Sequence, residues 1–114
     1  MSKAIDFARA HFSAKARITV EVPEWPVEGG GPLVVHASPL TLAEKQRIDK
    51  YRETWGKMEA LAYTLIIKAE DAEGKKLFSL DDKRSLMTQV DPDVLARVVL
   101  DIVAPVTPED LQKN

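Results

Sequence analysis

The sequence predicts an α+β fold: an N-terminal β-hairpin followed by a compact, mainly helical body of about four helices. Two observations predict it. Residues 17–22 alternate, with Ile18, Val20 and Val22 on one side and Arg17, Thr19 and Glu21 on the other, the period of a half-buried strand. Residues 41–70 carry apolar groups at Ile48, Tyr51, Trp55, Met58, Ala62 and Leu65, in steps of three and four that keep them on one helix face.

The elements follow in chain order. Ser2 is placed to cap a helix running to about Ala14, with Ile5, Ala8 and Phe12 on one face and Phe7 to the side. Either one or two buried aromatics tie this helix to the body, or it is an arm that frays as termini do. The alternating strand ends at Pro23, and residues 33–37 form a second strand between Pro32 and Pro39. Between them, residues 24–31 hold Trp25 and three consecutive glycines. Ordering three glycines costs much entropy, so a mobile loop is expected. Trp25 either folds back over the hairpin, as large aromatics usually do, or anchors a partner, since Trp is enriched at interface hot spots.

Thr41 and Glu44 spell a capping box, which starts the central helix at Leu42. Its first half is charged, and Glu53 and Lys57 stand four apart in the favourable order. From Met58 the apolar surface widens through Leu61, Tyr63, Ile66 and Ile67, so an exposed half leads into an enclosed one. Gly56 at the changeover costs about 1 kcal/mol in a helix interior. It marks a bend, a break between two helices, or a close helix contact. Gly74 ends the buried half through a positive φ. Ser79, followed by Asp81 and Asp82, opens a helix to about Gln89, with Leu80, Leu86 and Met87 inward. Asp91 and Pro92 open the last helix. Val94, Leu95, Val98, Val99, Ile102 and Val103 give it a broad apolar face, and Ala104 and Pro105 close it. Thr107–Asp110 carries a further helix-start pattern. At 114 residues the chain has the size of one domain, expected over 1–105, with the hairpin at 17–38, the body at 41–104 and a flexible tail at 106–114.

Composition narrows the function. The net charge of −2 comes without a basic stripe, which speaks against nucleic acid as partner. Cysteine is absent, which excludes disulfides and thiolate metal sites. No segment approaches the ~20 apolar residues of a membrane span, and the first residues carry no apolar run of signal-peptide length. A cytoplasmic, non-membrane protein is expected. His11 and His36 lack ligand-type neighbours. Aligning Gly74 with the invariant glycine of a calcium loop puts Ala69 and Leu80 where oxygen ligands are required. The triple glycine is followed by no Lys-Ser/Thr and no helix start. No catalytic, cofactor-binding or metal residue is assigned, and the chain is read as a non-enzyme. The candidate protein-binding residues are Ile48, Tyr51 and Trp55, which alternatively pack on the hairpin, and Trp25.

The apolar run from Leu61 to Ile67, the stretch Asp71-Ala72-Glu73-Gly74-Lys75-Lys76-Leu77-Phe78, the acid-started helix with Leu86, and Asp91-Pro92-Asp93-Val94-Leu95 together resemble the tail assembly chaperones of long-tailed bacteriophages and prophages. The hairpin, Pro39-Leu40-Thr41-Leu42 and the final residues 108–114 fit the same pattern. The first helix and the triple-glycine loop have no counterpart in it. The resemblance implies a protein of the bacterial host cytoplasm that binds the helical tape measure protein and keeps it soluble. The resemblance further implies that tail tube protein displaces it during polymerisation. It also implies self-association and no cofactor. The alternative is a small structural or adaptor protein retained in a phage-like particle.

Overall fold

The computed structural model describes residues 3–104. The expected cap at Ser2 and the expected tail at 106–114 lie outside them. Mixed α and β structure with a helical majority is what the chain adopts. Helix α1 (Ala4–Ser13) precedes the hairpin of β1 (Ile18–Pro26) and β2 (Pro32–Ala37). Helices α2 (Leu42–Trp55), α3 (Lys57–Lys68), α4 (Lys83–Thr88) and α5 (Pro92–Val103) follow, and a 3-10 turn (Leu80–Asp82) leads into α4. The described residues therefore hold five helices, and the hairpin comes after the first of them rather than at the N-terminus.

The hairpin register sets its inward face. Ile18 pairs with Ala37, Val20 with Val35 and Val22 with Leu33. Val20, Val22, Val35 and Ala37 are buried together. The strand does not stop at Pro23. Pairing becomes irregular after Val22 and resumes at Pro26 opposite Pro32, so Pro23 sits where the ladder does not use its missing N–H. The glycine loop is closed rather than open: Val27 donates its amide to the Gly31 carbonyl at 2.8 Å and Gly30 to Val27 at 3.0 Å.

A two-stranded hairpin cannot bury its apolar face alone. Here α3 and α5 cover it. Ala62, Leu65, Ile66 and Ala69 meet Val94, Leu95, Val98, Val99 and Ile102 over the four hairpin residues, with Leu86 closing the side. Leu65, fully buried, contributes on the order of 2 kcal/mol by leaving water. Leu80 and Met87, expected inward, are exposed, and Leu86 alone of the three is buried. One residue of α-helix turns Met87 about 100° from Leu86, and Leu80 lies in the 3-10 turn before α4, so neither shares the buried position of Leu86.

Gly56 is a break. It ends α2 and begins α3 with φ 99° and ψ 168°, and a Cβ there would meet nothing within 4 Å. Backbone conformation, not close packing, requires the glycine. The break turns α2 and α3 into a helical hairpin, because Lys68 at the end of α3 reaches Glu44 in the first turn of α2 at 2.8 Å. No ion pair joins Glu53 and Lys57 among the described residues. Asp49 instead pairs with Lys45 at 3.3 Å and Arg52 at 3.0 Å within α2. As expected, α2 has no buried residue and α3 has six.

After α3 the chain forms a one-residue strand. Glu70 exchanges two backbone hydrogen bonds of 2.8 Å with His36 and bridges to Lys76 on its other side. Asp71 accepts the amides of Glu73 and Lys75, both at 2.9 Å, and Gly74 has φ 86°. Arg17 clasps this turn, donating to Glu70 Oε1 at 2.9 Å and to the Asp71 and Ala72 carbonyls at 3.0 and 3.2 Å. The amides of its own turn hold the Asp71 carboxyl below the usual aspartate range, Lys75 first. Asp71 thus serves the turn itself.

Candidate protein-binding surface

Of the apolar regions that reach the surface among the described residues, three are set by different groups of elements. The first lies where α2 meets α3 and α4. Tyr51 stacks flat on Tyr63 of α3, with ring centroids 4.1 Å apart and planes 7° from parallel. Trp55 tilts against Tyr51 at 6.2 Å and 38°. The Lys83 ammonium lies 5.0 Å above Tyr51 and 4.8 Å above Trp55, a cation over two ring faces. Lys83 also approaches Glu59 Oε2 at 2.9 Å. That contact is an ion pair outside hydrogen-bond alignment, and the oxygen has no other partner among the described residues. Tyr51 first, then Glu59, raises the Lys83 ammonium above the usual lysine value. Trp55 and Met58, on either side of Gly56, remain 56% and 59% exposed.

The second region is a cleft of about 280 Å³ between α2, α3 and the C-terminal end of α5. Leu40, Ile48, Leu61, Val99, Leu100 and Val103 form its apolar lining. Its rim carries Lys45, Arg52 and Lys57 against the one carboxylate of Asp49. The third is the face of α1. No residue of that helix is buried, and Ile5, Ala8 and Phe12 form an open groove with Leu40 and Leu42. Neither aromatic of α1 is buried, which is the arm-like alternative for this helix. Lys3 caps it, its amide bonding the Asp6 carboxylate at 3.2 Å.

The candidates therefore divide. Ile48 belongs to the cleft, while Tyr51 and Trp55 belong to the aromatic patch. All three face α3 and its neighbours, not the hairpin. Trp25 lies elsewhere, half-buried, edge-on to Phe78 at 6.4 Å and 74°. It borders a shallow depression with Leu86, Val90 and Asp91. Next to it, Glu24 grips Arg97 of α5 through both carboxylate oxygens, one pair at 2.9 Å. The Arg97 hydrogen bonds, before any other cause, lower the Glu24 carboxyl to about 2. Sequence reasoning missed Tyr63, Lys83 and Met58 as members of the patch. Met58 was visible on the same face as Trp55. Tyr63 and Lys83 join only through the helical hairpin and the approach of α4.

Among the described residues, the two histidines stand apart from each other. His11 is exposed on α1, and His36 Nδ1 lies 3.5 Å from Thr19 Oγ1. Among the described residues no three His, Asp or Glu side chains stand close enough to hold a metal ion, and no helix is long and apolar enough to cross a membrane. No family model, curated protein or solved structure matches the chain.

Proposed function

We propose that this protein is a tail assembly chaperone of a long-tailed phage or prophage, which binds the helical tape measure protein in the bacterial cytoplasm until tail tube subunits displace it. The single observation that supports the reading is the pair of half-exposed apolar side chains, Trp55 and Met58, projecting from a helix–helix junction, with Met58 lining an apolar groove alongside Leu61, Leu86, Met87 and Val90. A helical client with an unpaired apolar stripe presents anchors at three- and four-residue spacing, and helix-in-groove binding suits it. Met adapts to irregular partners, and Trp supplies area at an interface centre. Shallow, open binding is also displaceable binding, which a transient holder needs. Self-association is part of the same proposal.

Co-expression with the longest helical protein encoded next to this chain tests the reading. Soluble, co-purifying client that is lost with Trp55→Glu or Met58→Glu, in variants of unchanged circular dichroism, is the expected result. A client equally insoluble with and without the chain overturns it. If the chain instead remains in finished particles, it is a structural or adaptor component.

A further inference from the structure

We infer that the groove between α3, α4 and the first turn of α5 takes an amphipathic helix bearing lysine or arginine beside its apolar stripe. This rests on the reading above in taking the occupant to be a helical client. It adds where that client sits and which charge it carries.

The walls are the first observation. Met58 and Leu61 of α3, Leu86 and Met87 of α4, Val90 and Leu95 line a groove of about 370 Å³. Met58 is 59% and Met87 39% exposed, so two flexible thioethers able to fit an irregular partner reach its surface. The walls are helical, and a helix bonds its backbone groups internally. An extended peptide laid between them finds no strand edge for its own amides and carbonyls, which are costly to bury unpaired. A helix arrives with its backbone satisfied and needs only apolar groups at three- and four-residue spacing.

Charge is the second observation. Asp93, in the first turn of α5, is the charged residue of the groove lining. Asp91, which caps that helix, lines an adjoining depression that shares Leu86 and Val90 with the groove. Both acids are exposed, and neither has an ion-pair partner among the described residues. No lysine or arginine lines either depression. Lys83 and Arg97 on the same helices are engaged by Glu59 and Glu24, and Arg84 lines neither depression. The N-terminus of a helix such as α5 offsets only about half a charge, so two carboxylates leave this margin negative. In the α2–α3–α5 cleft, by contrast, Lys45 and Arg52 are already paired with Asp49. Attraction to exposed acids is modest and weakened by salt. Apolar contact therefore supplies the affinity, and the acids select between helices of opposite charge.

The test titrates the full chain into two dye-labelled synthetic helices and reads fluorescence anisotropy. Both helices are about 18 residues long, or five turns, share one Leu/Met stripe and have equal helicity by circular dichroism. One bears Lys along the stripe and the other Glu. The Lys helix is expected to bind about tenfold tighter at low salt, and less so as salt rises. Asp91→Asn with Asp93→Asn keeps the cap, since Asn caps as well as Asp, and should shrink the gap to about threefold or less. Glu21→Gln with Glu53→Gln removes the same charge at exposed positions outside the groove and should leave the gap as it was. Met58→Ser with Met87→Ser should weaken both helices about tenfold. Equal affinity for the two helices, a gap that survives the Asn pair, or a gap that the Gln pair narrows equally would overturn the inference. So would a dimer of this chain that the Ser pair dissolves while neither helix binds. A co-expressed client still captured in full by the Ser pair overturns the groove and leaves the chaperone reading standing. A client never held, with the helix pattern as expected, overturns that reading and upholds the groove.

Discussion

Lys68 and Glu44 are 24 residues apart in sequence and 2.8 Å apart in space, and their contact closes the α2–α3 hairpin. Lys68 is 4% exposed, and that carboxylate is its ion-pair partner. Glu44 does two things at once. Its Oε1 accepts Lys68 and also the Thr41 amide at 3.0 Å, while Thr41 Oγ1 accepts the Glu44 amide at 3.1 Å. Burial pushes the Glu44 carboxyl up, but Lys68 and Thr41 together outweigh it and leave the group below the usual glutamate range. Removing one partner of a buried pair costs about 3–5 kcal/mol, and losing a helix cap about 1 kcal/mol. Glu44→Ala is expected to cost at least 3 kcal/mol in urea unfolding. Lys68→Met should cost less, because Glu44 keeps its cap and its carboxylate, 19% exposed, is stranded less deeply than the 4% exposed ammonium would be. Equal losses would show that the Lys68–Glu44 pair alone carries the effect and that the cap adds nothing.

Gly56 and Gly31 predict opposite outcomes for the same substitution. Gly56 has φ 99°, a region that costs a residue with a side chain about 1–3 kcal/mol. Gly31 is not among the positive-φ glycines, and a Cβ there meets nothing within 4 Å. Gly56→Ala should therefore lower stability by about 1–3 kcal/mol. Gly31→Ala should be neutral or stabilise by up to about 1 kcal/mol through the unfolded chain. Thermal unfolding of both variants checks the contrast.

What was legible in the sequence was local. The capping box at Thr41, the Asp91-Pro92 helix start, the alternation of Ile18, Val20 and Val22 and the apolar face of α5 are decided within a few residues, and each appears in the fold. Gly56 was visible as a special position, but its kind was not, since a bend, a break and a close contact all select glycine. Glu70 pairs with His36 as a single residue, too short to leave a period in the sequence. Its pairing is set by where α3 delivers the chain beside β2. Of the candidate surface, Ile48, Tyr51 and Trp55 could be named as one face. Their division between a cleft and a stack on Tyr63 depends on how α3, α4 and α5 approach, which no spacing within α2 encodes.

Acid should act through Glu24. Its carboxyl is lowered from 4.5 to about 2, chiefly by Arg97, so folding holds the charged form more tightly than the unfolded chain does. The contribution is complete above about pH 4.5 and is lost as pH falls toward 2. Glu24→Gln should remove that part of the acid sensitivity and leave stability at neutral pH less dependent on Arg97. Unfolding midpoints between pH 2 and 6 for wild type and variant provide the measurement. Parallel curves would mean that the Glu24–Arg97 pair contributes nothing in solution.

Trp25 and Trp55 should exchange rank between stability and binding. Trp25 is half-buried, edge-on to Phe78 and packed on the core. Trp25→Ala is expected to cost about 2 kcal/mol, somewhat below the range for fully buried aromatics. Trp55 is 56% exposed, touching Tyr51 and the Lys83 ammonium. Its loss should cost about 0.5–1 kcal/mol, the worth of an exposed cation–π contact. In client capture the order reverses. A hot-spot tryptophan is worth about 2 kcal/mol or more, so Trp55→Ala should reduce capture of the helical partner roughly thirtyfold while Trp25→Ala, once folded, leaves it unchanged. If Trp25→Ala is instead the variant that folds normally and loses the partner, the binding surface lies beside Phe78 and Leu86, and the α2–α3 junction is only structural.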